Sequence, residues 1–134
     1  MKSKQVLSIE QMKHLLELGL DTSDASMCWI KDSEGNRLLS VNDEYCYEMS
    51  HLSPVPTYTL QDIMELLPHS ISPIPDARTF YLNLYYYDLS WVVEYLNNEG
   101  DGSCFAAVSD NIIVAAYEML CWCAENVYVG KYAE

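Results

Sequence analysis

From Thr79 the chain alternates with period two, and this run constrains the fold more than any other segment. Phe80, Leu82, Leu84 and Tyr86 fall on one face, and Tyr81, Asn83, Tyr85 and Tyr87 on the other. A second run, Trp91 to Asn97, is rich in aromatic and branched residues. The stretch Asn98-Glu99-Gly100-Asp101-Gly102 is a strong turn signal, and Ser103 to Val108 then reads as a third strand. Asp88 is a competing cap for a helix over the second run, but Trp-Val-Val-x-Tyr favours a strand. The segment therefore predicts a three-stranded antiparallel meander.

The flanking segments predict helices and a hairpin. Ser8 and Gln11 form a capping box, and Leu7 with Met12 a hydrophobic staple. Ile9, Met12, Leu15 and Leu16 share the expected buried face, and Gly19 is the expected left-handed stop. Met27 to Ile30 and Arg37 to Val41 flank the polar Lys31–Asn36 turn as two strands. Asn42 to Pro56 mixes acids, tyrosines and prolines and reads as loop. Thr59 and Asp62 cap a second helix that Pro68 ends, and Ser70 to Asp76 reads as an extended connector. Ser109 or Asp110 caps the last helix, with Ile112, Ile113, Ala116, Met119, Leu120 and Cys123 on one face and Asn126 at its end. On that face Cys123 is core and Cys121 partly exposed. The order α-β-β-α-β-β-β-α implies one α+β domain over residues 1–134. Its expected architecture is an antiparallel sheet of about five strands, with helices on one face and the first and last helices sharing the core.

Charge bounds the partners. The chain has 134 residues, half of them hydrophobic, and a formal net charge of −13. Between Leu38 and Gly130, Arg78 is the single lysine or arginine against thirteen carboxylates. Such a field repels nucleic acid and anionic membrane and attracts a basic protein surface. The five cysteines, Cys28, Cys46, Cys104, Cys121 and Cys123, follow no disulfide spacing. No apolar run is long enough for a signal peptide or for the roughly 20 residues of a membrane span. The expectation is a reduced, soluble, cytoplasmic protein.

No cofactor, metal or catalytic motif accompanies the charge. Cys121-Trp122-Cys123 has one intervening residue where zinc and redox motifs use two, and on a helix its thiols point apart. His14, His51 and His69 lack a second histidine at ligand spacing, and nothing orients His51 toward Cys46. Asn97, Glu99, Asp101 and Gly102 resemble the front of a calcium loop, but Val108 stands where a bidentate glutamate is needed. Asp88 and Glu94 are acid–base candidates only as any two carboxylates are. The tyrosines are more informative, since tyrosine is amphipathic and enriched at interfaces. The simpler and favoured reading is a sheet with tyrosine rings half-covered by a helix, and the other is an aromatic binding surface ringed by acids. The candidate partner-binding residues are Tyr81, Tyr85, Tyr87, Asp88, Glu94, Glu99 and Asp101.

Three segments carry a resemblance. They are Ser8-Ile9-Glu10-Gln11-Met12 on to Gly19 and Asp21-Thr22-Ser23 to Trp29, then Pro56-Thr57-Tyr58-Thr59-Leu60-Gln61-Asp62-Ile63 to Pro68, then Ala115 to Cys123. In that order they resemble a family of small acidic, uncharacterised proteins of gut anaerobic bacteria and their prophages or mobile elements. The resemblance implies an accessory gene, more often a modulator than a metabolic enzyme, and transfers no functional residue. The leading expectation is a small acidic module that docks on a basic protein in the manner of a nucleic-acid mimic. An enzyme without a readable motif and a homo-oligomer through the tyrosine-rich strands are the other readings, and solubility alone is the simplest use of the charge.

Overall fold

The computed structural model describes residues 5–73, 78–100 and 102–130. The first helix, α1 (Ile9–Glu17), begins as its capping box dictates. The Ser8 hydroxyl accepts from the Gln11 amide at 3.1 Å, and the Gln11 side chain accepts from the Ser8 amide at 2.9 Å. It ends at Gly19, whose φ of 96° is left-handed. There the Gly19 amide donates to Leu16 and the Leu20 amide to Leu15, the paired bonds of a Schellman stop. Leu7, Met12 and Leu15 are buried as expected, whereas Leu16 is exposed, so the apolar stripe is narrower than the sequence suggests.

Strands β1 (Met27–Lys31) and β2 (Arg37–Val41) form the expected hairpin, pairing Cys28 with Ser40. The Asp32 carboxylate shapes its turn by accepting from the Glu34 and Asn36 amides. The stretch read as loop is instead structured. Asp43 caps a short helix, α2 (Glu44–Glu48), a 3-10 turn spans Ser50–Leu52, and β3 (Val55–Thr57) pairs with the free side of β1. Pro56 is tolerated because β3 is an edge strand, where a missing amide costs no ladder bond. Helix α3 (Leu60–Leu66) follows, with Thr59 and Asp62 closing the capping box.

The connector after α3 begins with a two-residue strand, β4 (Ser70–Ile71), while residues 74–77 lie outside the described residues. The meander is as expected: β5 (Phe80–Tyr87), β6 (Ser90–Asn97) and β7 (Ser103–Ser109), in the order β4-β5-β6-β7. The single sheet of about five strands is therefore corrected to two antiparallel sheets, of three and four strands. The hairpin does not join the meander because β3 takes the free edge of β1 and β4 takes part of the edge of β5.

Helix α4 (Ile112–Glu125) is capped by Asn111 rather than by Ser109 or Asp110. The Asn111 side chain accepts from Ile113, and the Ser109 hydroxyl accepts from the Asn111 amide one step earlier. Asn126 is the C-terminal cap, as expected. Cys121, read as partly exposed, is only 9% exposed, because Ala115, Cys121 and Ala124 are buried along with the expected face. One buried cluster joins Met12 and Leu15 of α1, Ile63 of α3, Val93 and Tyr95 of β6, and Met119 and Leu120 of α4. Trp122 stacks on Phe105 at 5.0 Å and on Tyr128 at 5.5 Å, closing the core over one face of the meander.

Candidate functional site

Parity along β6 divides the larger sheet. Val93 and Tyr95 point into the core under α4, and Val92 and Glu94 point to the opposite face. Register then places Tyr85 and Val92, Asn83 and Glu94, and Tyr81 and Leu96 side by side on that outer face. On the β7 side, Val108 stands beside Val92 and Ala106 beside Glu94. The outer face thus carries Tyr81, Tyr85 and Tyr87 together, as the alternation predicts, with Tyr81 and Tyr85 flanking the Glu94 position and Tyr87 farther along, opposite Ser90. Tyr86 lies on the other side, edge-on to Trp91 at 5.1 Å.

Glu94 is the unusual member. It is 8% exposed, yet it is a carboxylate at the centre of the outer face. The Tyr85 hydroxyl donates to its Oε1 at 2.5 Å, and this bond, with burial second, pushes the Tyr85 phenol up. Among the described residues no lysine, arginine or histidine lies within ion-pair distance of Glu94. None can come from its own strands, since Phe80 to Ser109 contains no lysine or arginine. A buried carboxylate is ordinarily paired, so its site has unused capacity for a cation.

The other candidates are not brought to this centre. Asp88 sits in the two-residue β5–β6 turn, and Glu99 in the β6–β7 turn. These are opposite ends of β6, roughly 27 Å apart along the strand. Glu99 lies 3.8 Å from Arg78, an exposed ion pair of small energetic weight. Asp101 lies outside the described residues. The β5–β6 turn holds Asp88 at φ 51° and Leu89 at φ 62°, a left-handed pair usually filled by Asn-Gly. Leu89 is 79% exposed at the tip and Tyr87 72% beside it.

A second region gathers acids without being read from the sequence. An open groove of about 550 Å³ is lined by Ser23, Asn42, Asp43, Glu44, Tyr47 and Glu48. Asn42 holds its wall by donating to the Ser23 and Ala25 carbonyls and accepting from the Tyr47 hydroxyl. Beneath it the Cys28 and Cys46 thiols both approach the Val41 carbonyl. Burial, then the neighbouring Cys46, pushes the Cys28 thiol up to about 11. The Cys28 thiol is therefore protonated at neutral pH and a poor nucleophile. Cys46 is buried and His51 exposed, so no cysteine–histidine pair is oriented here.

The remaining temptations resolve into structure. Cys123 is fully buried, and burial first pushes it up to about 11, against a hydrogen bond to Tyr95. Asn97 and Gly102 close the β6–β7 connection, the Asn97 amide donating to the Gly102 carbonyl. Among the described residues no group of three or more histidine, cysteine, aspartate or glutamate side chains gathers to hold a metal. Among them, too, no helix is long and apolar enough to cross a membrane. No family model, curated protein or solved structure matches the chain.

Proposed function

We propose that this protein is a small acidic docking module that binds a cationic segment of a protein partner on the outer face of its larger sheet. The observation that carries this reading is Glu94, a nearly buried carboxylate without a basic neighbour among the described residues, flanked by Tyr81 and Tyr85, with Tyr87 farther along the same face. Tyrosine faces attract guanidinium and ammonium groups, and the carboxylate supplies a charge-assisted acceptor at their centre. The net charge of −13 steers such a partner over longer range. Asp88 and Glu99 stand too far apart to form one continuous line with Glu94. This favours a short cationic segment seated across the sheet over an extended imitation of a phosphate backbone. The same charge argues against direct binding of nucleic acid. An accessory, mobile-element setting in a bacterial cytoplasm belongs to the proposal through the family resemblance.

Titration with a short arginine-rich peptide tests the reading. Binding is expected to weaken steeply with salt, and Glu94→Gln is expected to weaken it by at least about tenfold. Unchanged affinity in Glu94→Gln, or preference for an acidic control peptide, removes the outer face as the docking site. Tight binding to duplex DNA at physiological salt removes the charge argument altogether.

A further inference from the structure

We infer that the outer edge of β7 receives an extended, arginine- or lysine-bearing segment of the partner as an added strand, whose cationic side chain crosses Ala106 to reach Glu94. The inference rests on the docking reading above and adds where the partner's backbone lies.

The hairpin geometry fixes which backbone groups are free. In a two-residue β5–β6 hairpin, Tyr87 and Ser90 form the closing hydrogen-bonded pair. Bonding then alternates, so Trp91, Val93 and Tyr95 bond toward β7 and face Ser109, Ala107 and Phe105. The amides and carbonyls of Ala106 and Val108 consequently point away from the sheet. Among the described residues no strand pairs with that side of β7.

Natural edge strands are blunted by charge, proline, brevity or a bulge. The β7 sequence, Ser-Cys-Phe-Ala-Ala-Val-Ser, has neither charge nor proline and runs seven residues. Its register irregularity falls between Tyr95 and Leu96, at the Ser103 end, and leaves Ala106 to Val108 regular. An unguarded edge of this kind is a template for strand addition.

The choice of β7 over the opposite edge follows from Glu94. On the β5 side its neighbour is Asn83, with Tyr81 and Tyr85 before and after it. On the β7 side its neighbour is Ala106, a single methyl group. An added strand lies about 4.8 Å from β7 and about 10 Å from β6. A long cationic side chain on that strand, opposite Ala106, crosses the methyl toward the Glu94 carboxylate. Charge selects the occupant. A second copy offers an edge with no cation in it and brings another −13 charges, whereas a basic segment supplies what Glu94 lacks.

Amide exchange with a synthetic probe decides the matter. The probe is a short alternating threonine–valine peptide with one central arginine, beside a glutamate version and a version N-methylated at its edge-facing amides. The arginine peptide is expected to protect the Ala106 and Val108 amides from exchange. N-methylation is expected to weaken binding by at least about tenfold, and so is Glu94→Gln, while the fold stays intact. Equal affinity of the N-methylated peptide overturns strand addition, and the docking reading then stands or falls on Glu94→Gln alone. Absence of arginine-peptide binding overturns both. Protection of Ala106 and Val108 in the free protein, with the mass of a dimer, overturns the basic partner in favour of a second copy.

Discussion

The two sheets share one pairing rule and differ in what covers them. In the smaller sheet β1 is central, and Cys28 alone of its residues is buried, enclosed with Cys46 of α2, while Leu38, Leu39 and Val41 of β2 are exposed. Its other face is anchored by the Trp29 indole, which donates to the Leu7 carbonyl at 2.9 Å. In the larger sheet α4 covers one face only, and the other presents tyrosines to solvent. An antiparallel sheet tolerates this arrangement because alternation separates the two environments residue by residue. The contrast separates residues that hold the fold from residues left at the surface.

The sharpest way to break the contrast is to compare the two faces of the larger sheet. Leu120→Ala, on the buried side of α4, removes a fully buried side chain from the core over the sheet's inner face and is expected to cost about 2–5 kcal/mol in urea unfolding. Tyr81→Ser and Tyr87→Ser on the open face are expected to stay within about 1 kcal/mol of the parent. Comparable losses on both faces would mean that the tyrosines are structural and not held in reserve for binding.

A second comparison sets one buried hydroxyl in each sheet against the other. The Tyr95 hydroxyl donates to the Pro68 carbonyl at 2.7 Å, and burial first pushes its phenol well up. The Thr57 hydroxyl donates to the Leu7 carbonyl, also at 2.7 Å. Leu7 keeps the Trp29 indole when Thr57 is replaced, whereas Pro68 loses its hydroxyl donor when Tyr95 is replaced. Tyr95→Phe is therefore expected to cost about 1–3 kcal/mol and Thr57→Val less than about 1 kcal/mol. The reverse order of denaturation midpoints would show that the indole does not hold the Leu7 carbonyl.

This asymmetry of cover also explains what the sequence revealed. The meander is legible because its strands run seven or eight residues, β5 alternates, β6 is rich in aromatic and branched residues, and a glycine-bearing turn signal precedes β7. Strand β4, two residues long, and β3, three residues with Pro56 at its centre, are too short to show a period. Helix α2 spans five residues, less than two turns, so its apolar face never repeats. The α4 face was misjudged at Cys121 because apolar residues lie almost all round the helix. Within the site, parity places Tyr81, Tyr85 and Tyr87 on one face, and the register seats Glu94, already a candidate in the sequence, on that same face. Asp88 and Glu99 were grouped with them by closeness in sequence, which a hairpin converts into opposite ends of a strand. The Ala106 edge was missed, although the uncharged run of β7 was its available signal.

A smaller effect is expected at the β5–β6 tip. Leu89 is held at φ 62°, where a β-carbon crowds the backbone. Leu89→Gly removes that strain, against the larger entropy of a glycine in the unfolded chain, and is expected to raise stability by up to about 1 kcal/mol. A loss on thermal unfolding would show that the exposed leucine packs on Tyr87 or another tip residue strongly enough to outweigh its backbone.

The smallest expected effect lies where the two regions are tied together, at Asp62. Its carboxylate caps α3 through Thr59 and reaches across to the amide and hydroxyl of Ser26, just before β1. Burial pushes this carboxyl up, but the bonds from Ser26 and Thr59 outweigh burial and leave it below its ordinary 3.8. The folded value is thus lower than the unfolded one. The stability it contributes is complete above the unfolded value and is lost as pH falls through the folded one. Because the group is partly exposed, solvent screening limits the contribution to under about 1 kcal/mol. The difference in unfolding free energy between the parent and Asp62→Asn is therefore expected to be constant from neutral pH down to about 4, and to shrink below it. A difference that grows on acidification would mean that the Ser26 and Thr59 bonds favour the protonated acid, and that the tie between the two regions does not depend on charge.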